Sequence, residues 1–385
     1  MCPPRIVFYV QYLLGIGHIR RSSLVVKALV SLGVQVDVVF GGMPVPNISF
    51  TGATVHQLMA IKSADTAFSG LVKADGSEFT DEDKKSRTTA LLDLLEKIQP
   101  DVVVTETYPF GRRQMRFELL PLINWVSCQE SPPVLVSSIR DILQRRSEQR
   151  ELECIDLIEH YYQHVLVHGD PAFFPLENSF PRVQRIADKV NYTGYVCPAV
   201  APKVNTEKQI VASIGGGSVG KEILATVLRL YQTGFAADYQ WLLITGPNMD
   251  AADKAYFMAH SDERLTVVEL ADDFLMALSN AYVSVSMAGY NTVMDLLQTR
   301  VPAVVVPFEG EGETEQMARS EVLAKSGVMQ LLRHNEMTPV TLQQAIERSV
   351  ASNVSGPKID SDGANKSAKL LYDWARQKRL SVDNV

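Results

Sequence analysis

Ile214-Gly215-Gly216-Gly217-Ser218-Val219-Gly220-Lys221 lies between an apolar run over 210–214 and an amphipathic stretch over 220–231. The pattern reads as a strand, a glycine turn and a helix. Glycines let backbone amides approach a ligand closely, and a helix start adds partial positive charge. Two readings stand for this turn. It is a diphosphate cradle with the Ser218 hydroxyl and Lys221 beside it, or a tight strand-to-helix connection and nothing more. It is not a Walker loop, because the Gly-Lys-Ser/Thr ending is missing, and the dinucleotide spacing also fits poorly.

Working outward, the alternation continues on both sides. Downstream, strands are expected at 241–245, 265–269, 282–285 and 303–306, with helices at 250–259, 272–280, 290–299 and 314–325. Upstream, strands are expected at 5–10, 34–40, 101–105, 134–139 and 165–167. Helices are expected at 18–32, 88–98 and 146–162, and residues 62–87 read as a long polar loop, or a loop with a short helix, around the Asp-Glu-Asp-Lys-Lys run. Strand-helix alternation in both halves predicts an α/β fold of two doubly wound, Rossmann-like parallel-sheet domains. Such domains facing each other form a cleft, with ligands at the carboxyl ends of the strands. Periodicity fades over 191–208, which is rich in proline, glycine and polar residues, and the boundary is placed there. The expected division is 1–198, 199–363 and a closing helix within 364–385.

Composition narrows the function classes. The chain has 385 residues, enough for two domains, with 46% hydrophobic and 21% charged residues, a globular balance. Lys plus Arg is 37 against 44 Asp plus Glu, a net charge of −7, so a generally basic nucleic-acid binder is excluded. Cys2, Cys128, Cys154 and Cys197 are too far apart in sequence for paired metal-ligand spacing, and they fit a reducing, cytoplasmic setting. No run of about 20 apolar residues is present, so no span is expected, and the apolar segment 6–16 reads as a strand and its loop.

Three further stretches carry chemistry. Ser286-Met287-Ala288-Gly289-Tyr290-Asn291-Thr292 again joins strand to helix, with Asp295 one turn further on. Its amides can face an anion and Asp295 can accept the two hydroxyls of a ribose. Alternatively, Asn291 or Thr292 caps the helix and Asp295 favours its dipole. Pro307-Phe308-Glu309-Gly310-Glu311-Gly312-Glu313-Thr314-Glu315-Gln316 ends a strand and opens a helix. Glu315 and Gln316 stand where sugar hydroxyls are bound, whereas residues 309, 311 and 313 read as a solvated acidic loop. Leu14-Gly15-Ile16-Gly17-His18-Ile19-Arg20-Arg21 sets His18 at the first helix start, where the dipole disfavours imidazolium and leaves a neutral base near pH 7.

Taken together, Gly-Ile-Gly-His near the start, Gly-Gly-Gly-Ser-Val-Gly, Ala-Gly-Tyr-Asn-Thr-Val-Met-Asp and Val-Pro-Phe with Glu-Gln resemble the GT-B glycosyltransferases. The resemblance is closest to the MurG-like group, and it spans both domains. It implies a nucleotide-sugar donor, a UDP-sugar, held mainly by the C-terminal domain. Gly216, Gly217, Ser218 and Gly220 would cradle the diphosphate, and Leu270 would sit at the base. Gly289, Tyr290, Asn291 and Thr292 would support phosphate and ribose. Asp295 takes the place of the family's ribose-binding glutamate. Glu315-Gln316 replaces a Gln-Gln pair that reads the donor sugar. His18, beside Gly17, would be the acceptor-side base, oriented by Glu106. No arginine stands near Gly194, where the family has a phosphate-contacting one, and Lys221 is the substitute considered.

Pro109-Phe110-Gly111-Arg112-Arg113-Gln114-Met115-Arg116-Phe117 has no counterpart in that group. Arg112, Arg113 and Arg116 there either bind an anionic, lipid-linked acceptor or form a solvated helix start paired with Glu106. His160, His164 and His168 recur every four residues, but a helix end and a strand are expected among them, so they read as structural. No Asp-x-Asp metal motif appears at a plausible place, and no cofactor or essential metal is expected. The function expected is inverting transfer of a hexosyl or N-acetylhexosaminyl group, with peripheral contact at the inner membrane face a further expectation. A UDP-sugar 2-epimerase of the same fold and a non-catalytic nucleotide-sugar-binding subunit are the alternatives.

Overall fold

The computed structural model describes residues 3–13, 17–45, 48–64, 70–144, 146–198, 208–217, 219–310, 314–352 and 359–383. The chain divides into two units: Met1–Cys197 with Asp360–Val385, and Pro198–Ile359.

The first unit runs β1 (Arg5–Val10), α1 (Gly17–Ser31), β2 (Gln35–Phe40), β3 (Thr54–Gln57), β4 (Ile61–Ser63), β5 (Leu71–Lys73) and α2 (Asp81–Ile98). It continues through β6 (Val102–Glu106), α3 (Arg116–Ser127), β7 (Val134–Arg140), α4 (Glu148–Tyr161), β8 (His164–His168) and β9 (Val190–Tyr192). Seven strands form one parallel sheet in the order β3-β2-β1-β6-β7-β8-β9. Successive side chains of a strand point to opposite faces. In β1, Val7 and Tyr9 enter one apolar cluster with Leu91 and Leu95 of α2, Leu119 and Leu122 of α3, and Ile155 of α4. Ile6, Phe8 and Val10 enter the other, with Val25, Val26 and Leu29 of α1. Both faces are covered, which is why apolar residues run consecutively through Ile6–Val10 of β1 and Val102–Val104 of β6.

The polar stretch 62–87 is neither a bare loop nor a loop with a short helix of its own. β4 and β5 pair antiparallel there, and the acidic run is the first turn of α2. Thr80 Oγ1 accepts from the Asp83 amide at 3.2 Å and Asp83 Oδ2 accepts from the Thr80 amide at 2.9 Å, a reciprocal cap. Asp81, Glu82 and Asp83 also sit at the positive end of the helix dipole. The charges start a helix and do not prevent one.

The second unit runs β10 (Gln209–Ser213), α5 (Lys221–Gln232), β11 (Gln240–Ile244), α6 (Ala251–Met258), β12 (Leu265–Val268), α7 (Phe274–Asn280) and β13 (Val283–Met287). Then come α8 (Tyr290–Thr299), β14 (Ala303–Val306), α9 (Glu315–Lys325), β15 (Gln330–Leu331) and α10 (Pro339–Ala351). Six strands form a parallel sheet in the order β12-β11-β10-β13-β14-β15. Ile210, Leu243, Val285 and Val304 pack with Ile223 and Val227 of α5 and Leu342 and Ile346 of α10.

The chain then returns to the first unit. Tyr195 N donates to Asp360 O at 2.7 Å and Gly363 N to Tyr195 O at 3.0 Å, so the leaving and returning segments lie side by side. The final helix, α11 (Gly363–Asp383), sets Ala368, Leu371, Trp374 and Ala375 into the cluster shared with α1. No helix of the described residues is long and apolar enough to cross a membrane.

Candidate active site

Each sheet has one switch point, where the chain leaves two adjacent strands in opposite directions and opens a crevice at their carboxyl ends. In the first unit it lies between β1 and β6. His18 follows β1 and Glu106 ends β6, so the fold brings these distant residues together.

His18 Nδ1 is 2.7 Å from Glu106 Oε1. Glu106 is 1% exposed and also accepts from Arg21 Nη2 and, at 2.7 Å, from Thr107 Oγ1. Burial alone would raise the Glu106 pKa, but His18, Arg21 and Arg112 override it and hold the carboxyl well below the usual carboxylate range. An ionised carboxylate only accepts, so Nδ1 of His18 carries the proton and Nε2 keeps its lone pair. Burial, with Arg112 and Arg21, outweighs Glu106 and lowers the His18 pKa to about 4. The imidazole is therefore neutral at pH 7 and its protonation state is that of a base. Thr107 has φ of 67°, a left-handed conformation that costs a β-branched residue free energy and aims its hydroxyl at Glu106.

Arg21 and Thr107 were not expected from sequence. Both carried a signal: Arg21 is one helical turn beyond His18, on the same face, and Thr107 is the neighbour of Glu106. Gly17 opens α1, and residues 14–16 of the expected glycine loop lie outside the described residues.

The arginine cluster separates. Arg113 Nη1 and Arg116 Nη1 donate to Glu153 Oε2 of α4 at 2.8 and 3.1 Å. An acidic partner from another helix, not adjacent in sequence, thus pairs with two of the three. Glu106 pairs with Arg21 and not with this cluster. Arg112 alone turns inward, its Nε donating to Gln11 O at 2.8 Å. His160, His164 and His168 do not converge. His160 bonds Asp156 O, His164 stacks on Trp374 at 3.8 Å, and buried His168 contacts Ser138 and Thr193.

In the second unit the switch point lies between β10 and β13, and both glycine turns stand there. α5 and α8 start at Gly220 and Gly289, and neither has a side-chain cap. Asn291 and Thr292 lie inside α8, one and two residues past its first, so neither is its cap. Gly217 has φ of 84°, and a Cβ on it would meet Thr245 O at 2.4 Å. Asn248 N donates to Gly216 O at 2.8 Å, locking this turn to the one after β11. Gly216 is more open, the nearest atom to its notional Cβ lying 3.4 Å away. Ser218 lies outside the described residues.

Lys221 Nζ pairs with Asp253 at 3.1 Å, and Leu270 is exposed. Asp295 is buried in α8. Glu315 Oε1 accepts from buried Arg319 at 2.7 Å, and that guanidinium lies over the Tyr290 ring. Sequence reasoning missed Arg319, although a Glu and an Arg four residues apart on a helix are an ordinary pair. Gln316 Oε1 accepts from Phe308 N at 3.0 Å, which ties the start of α9 to the loop after β14. Glu309 lies 3.8 Å from Arg333, and residues 311–313 fall outside the described residues.

Residues 211–372 match the model of the glycosyltransferase family 28 C-terminal domain. An uncharacterized glycosyltransferase of Methanosarcina acetivorans is 21% identical over 351 residues, covering 86% of each chain. The UDP-N-acetylglucosamine--N-acetylmuramyl-(pentapeptide) pyrophosphoryl-undecaprenol N-acetylglucosamine transferase of Geobacillus kaustophilus is 28% identical over 189 residues, 44% of this chain and 50% of that one. The chain thus matches about half the length of that relative. Among solved structures, the calicheamicin glycosyltransferase is similar at a TM-score of 0.61 with 16% identity, covering 100% and 98% of the two chains. MurG of Acinetobacter baumannii is similar at 0.57 with 15% identity, covering 97% and 100%. The chain is a glycosyltransferase with the two parallel-sheet domains of the GT-B fold, and it resembles the MurG-like group.

Proposed function

We propose that this glycosyltransferase moves a hexosyl or N-acetylhexosaminyl group from a UDP-sugar to an acceptor hydroxyl with inversion, and that His18 is the general base. The observation that carries the reading is the 2.7 Å bond between His18 Nδ1 and Glu106, which leaves Nε2 to take the acceptor proton. Glu106 keeps the tautomer and stabilises the imidazolium once formed. The new bond joins the acceptor oxygen to the anomeric carbon, the bond to the diphosphate oxygen breaks, and the proton passes to His18.

The second unit is the donor side of this proposal. Amides of the Gly215–Gly217 turn and of the starts of α5 and α8 meet the developing diphosphate charge, so no metal is invoked. Asp295, Glu315 and Gln316 are the candidates for ribose and sugar contacts. A lipid-linked acceptor reached at the cytoplasmic face of a membrane belongs to the same reading.

The test is thermal stability with UDP, GDP, TDP and CDP and their sugars at millimolar concentration. A ligand at 100 times its Kd adds about 2.7 kcal/mol to the folded state, a visible shift. A shift graded by sugar among UDP compounds supports the donor. No shift with any nucleotide removes the proposal, and conversion of a UDP-sugar to its epimer without an acceptor replaces it with epimerisation.

A further inference from the structure

Three donors meet one oxygen of Glu106. His18 Nδ1 at 2.7 Å, Thr107 Oγ1 at 2.7 Å and Arg21 Nη2 all reach Oε1, and Arg21 Nη2 lies 3.4 Å from His18 Nδ1. Oε2 is buried and has no hydrogen-bond partner among the described residues. A carboxylate 1% exposed with one oxygen unanswered is costly to keep ionised, because burial favours its neutral form. Two of the three donors, an imidazole and a hydroxyl, are neutral at pH 7. The third, Arg21, is 3% exposed and is the cation in contact with Glu106 among the described residues.

What Glu106 carries decides what His18 can do. As a carboxylate it only accepts, so Nδ1 holds the imidazole proton. As a carboxylic acid it would donate to Nδ1, and the imidazole proton would sit on Nε2, leaving no lone pair for an acceptor hydroxyl. A guanidinium does not lose its proton in this pH range, so Arg21 is a permanent charge at the shared oxygen. The other charged and titratable groups act without touching Glu106. Arg112, in the loop after β6, lowers the Glu106 and His18 pKa values while its Nε is bonded to Gln11 O. His168 on β8 is buried against Ser138 and Thr193, and Arg21, after burial, presses it too toward its neutral form.

We infer that Arg21 is the positioning residue of this pair: its guanidinium holds Glu106 as the carboxylate, fixes the His18 proton at Nδ1 and so leaves Nε2 free to act. The inference rests on the reading of His18 as the acceptor's base. Arg21 stands one helical turn beyond His18, so α1 carries both the base and the charge that sets its tautomer, and β6 supplies the carboxylate between them. Arg21 touches neither sugar nor acceptor in this role. Its charge disfavours adding a proton to the pair, which widens the pH range over which Nε2 stays free.

The test is heteronuclear NMR of the full chain with isotope-labelled histidine, His18 being assigned by its loss in His18→Ala. The Nε2 shift reports whether that atom carries a proton. In the wild type Nε2 should stay unprotonated from pH 7 down to about 5. Arg21→Met should raise the pH at which Nε2 is protonated by at least about one unit. The sign is the same whichever group takes the proton: on the imidazole it makes imidazolium, on Glu106 it switches the tautomer, and Nε2 is protonated in both. Arg21→Lys keeps the charge and should move the midpoint less, and Lys27→Met, which removes an exposed charge from the same helix, should leave it in place. Glu106→Gln, a partner that cannot ionise, should leave Nε2 protonated at pH 7, and it serves if the Arg21 variants fail to fold. A merely structural Arg21 would broaden or double the resonance without moving this midpoint. An unmoved midpoint in folded Arg21→Met, an equal shift in Lys27→Met, or a free Nε2 in Glu106→Gln overturns the role of Arg21 and leaves the base reading standing. A wild-type Nε2 already protonated at pH 7 overturns both.

Discussion

Arg87 donates through Nη2 to the side-chain oxygen of Gln11 at 2.7 Å, and so holds the residue that starts the loop leading to His18. Arg87 is 1% exposed and reaches further partners: Glu118 through Nε at 2.7 Å, and the carbonyls of Gly41 and Met59. The backbone oxygen of Gln11 in turn accepts from Arg112. A buried ion pair thus holds Gln11, just beyond the carboxyl end of β1, from one side while Arg112 meets it from the other. Arg87→Met should cost about 3–5 kcal/mol, because it leaves the Glu118 carboxylate buried and unpaired. Arg87→Met with Glu118→Gln should cost less, since no uncompensated charge remains. Denaturant unfolding of both variants checks the order, and equal losses would assign the cost to packing instead.

His18→Ala should lower kcat by about a hundredfold or more while UDP affinity stays unchanged. Glu106→Gln should lower it as well, because an amide can donate to Nδ1 and so favour the wrong tautomer. A near-wild-type kcat in His18→Ala removes the base from the mechanism.

The pH dependence separates this base from an ordinary histidine. With a pKa lowered to about 4, His18 stays neutral far below 6.5. The rate kcat/KM should hold down to about pH 5 and fall only below that. A fall centred near 6.5 would contradict the buried, neutral imidazole.

Stability shows the same chemistry with a definite sign. His18 and buried His168 both have lowered pKa values, from burial first. Unfolding therefore takes up protons below pH 6.5. The folded state loses stability as pH falls, by up to about 1.4 kcal/mol per pH unit for each histidine. Denaturant titrations between pH 7 and 5 should show this slope, reduced in His18→Ala.

The glycines of the second unit should divide by role. Gly217→Ala meets Thr245 O and a positive φ, and should destabilise by about 1–3 kcal/mol. Gly216→Ala has room, and should change stability by less than about 1 kcal/mol while weakening UDP binding. Unchanged UDP affinity in Gly216→Ala would make the turn a purely structural one.

Much of this was legible in the sequence because it depends on neighbours in the chain. Strand-turn-helix grammar placed 214–221 and 286–292 at sheet ends, and Val-Val-Val-Thr read as a buried parallel strand. What escaped depends on partners far apart. Nothing next to Arg113 and Arg116 announces Glu153, and nothing near Gln11 announces Arg87. The run at 81–85 hides a helix start for a local reason: five charges suit a loop or a short helix alike until Thr80 and Asp83 are seen as the cap of α2. Thr338-Pro339 carried the same kind of signal for α10, whose first turn is capped by Thr338 and Thr341.

The return of the chain to its first unit also bears on synthesis. The second unit is an uninterrupted stretch and has all its strands once residue 351 has been made. The first unit is open until α11 emerges, because Leu371 and Trp374 cover the apolar face that α1 leaves beside β1 and β6. On the ribosome, the half that begins first must therefore finish last, and that half holds His18. Until then the part of that face that Leu371 and Trp374 cover lacks its partner, so truncation before residue 363 should leave an aggregation-prone first unit alongside a completed second one.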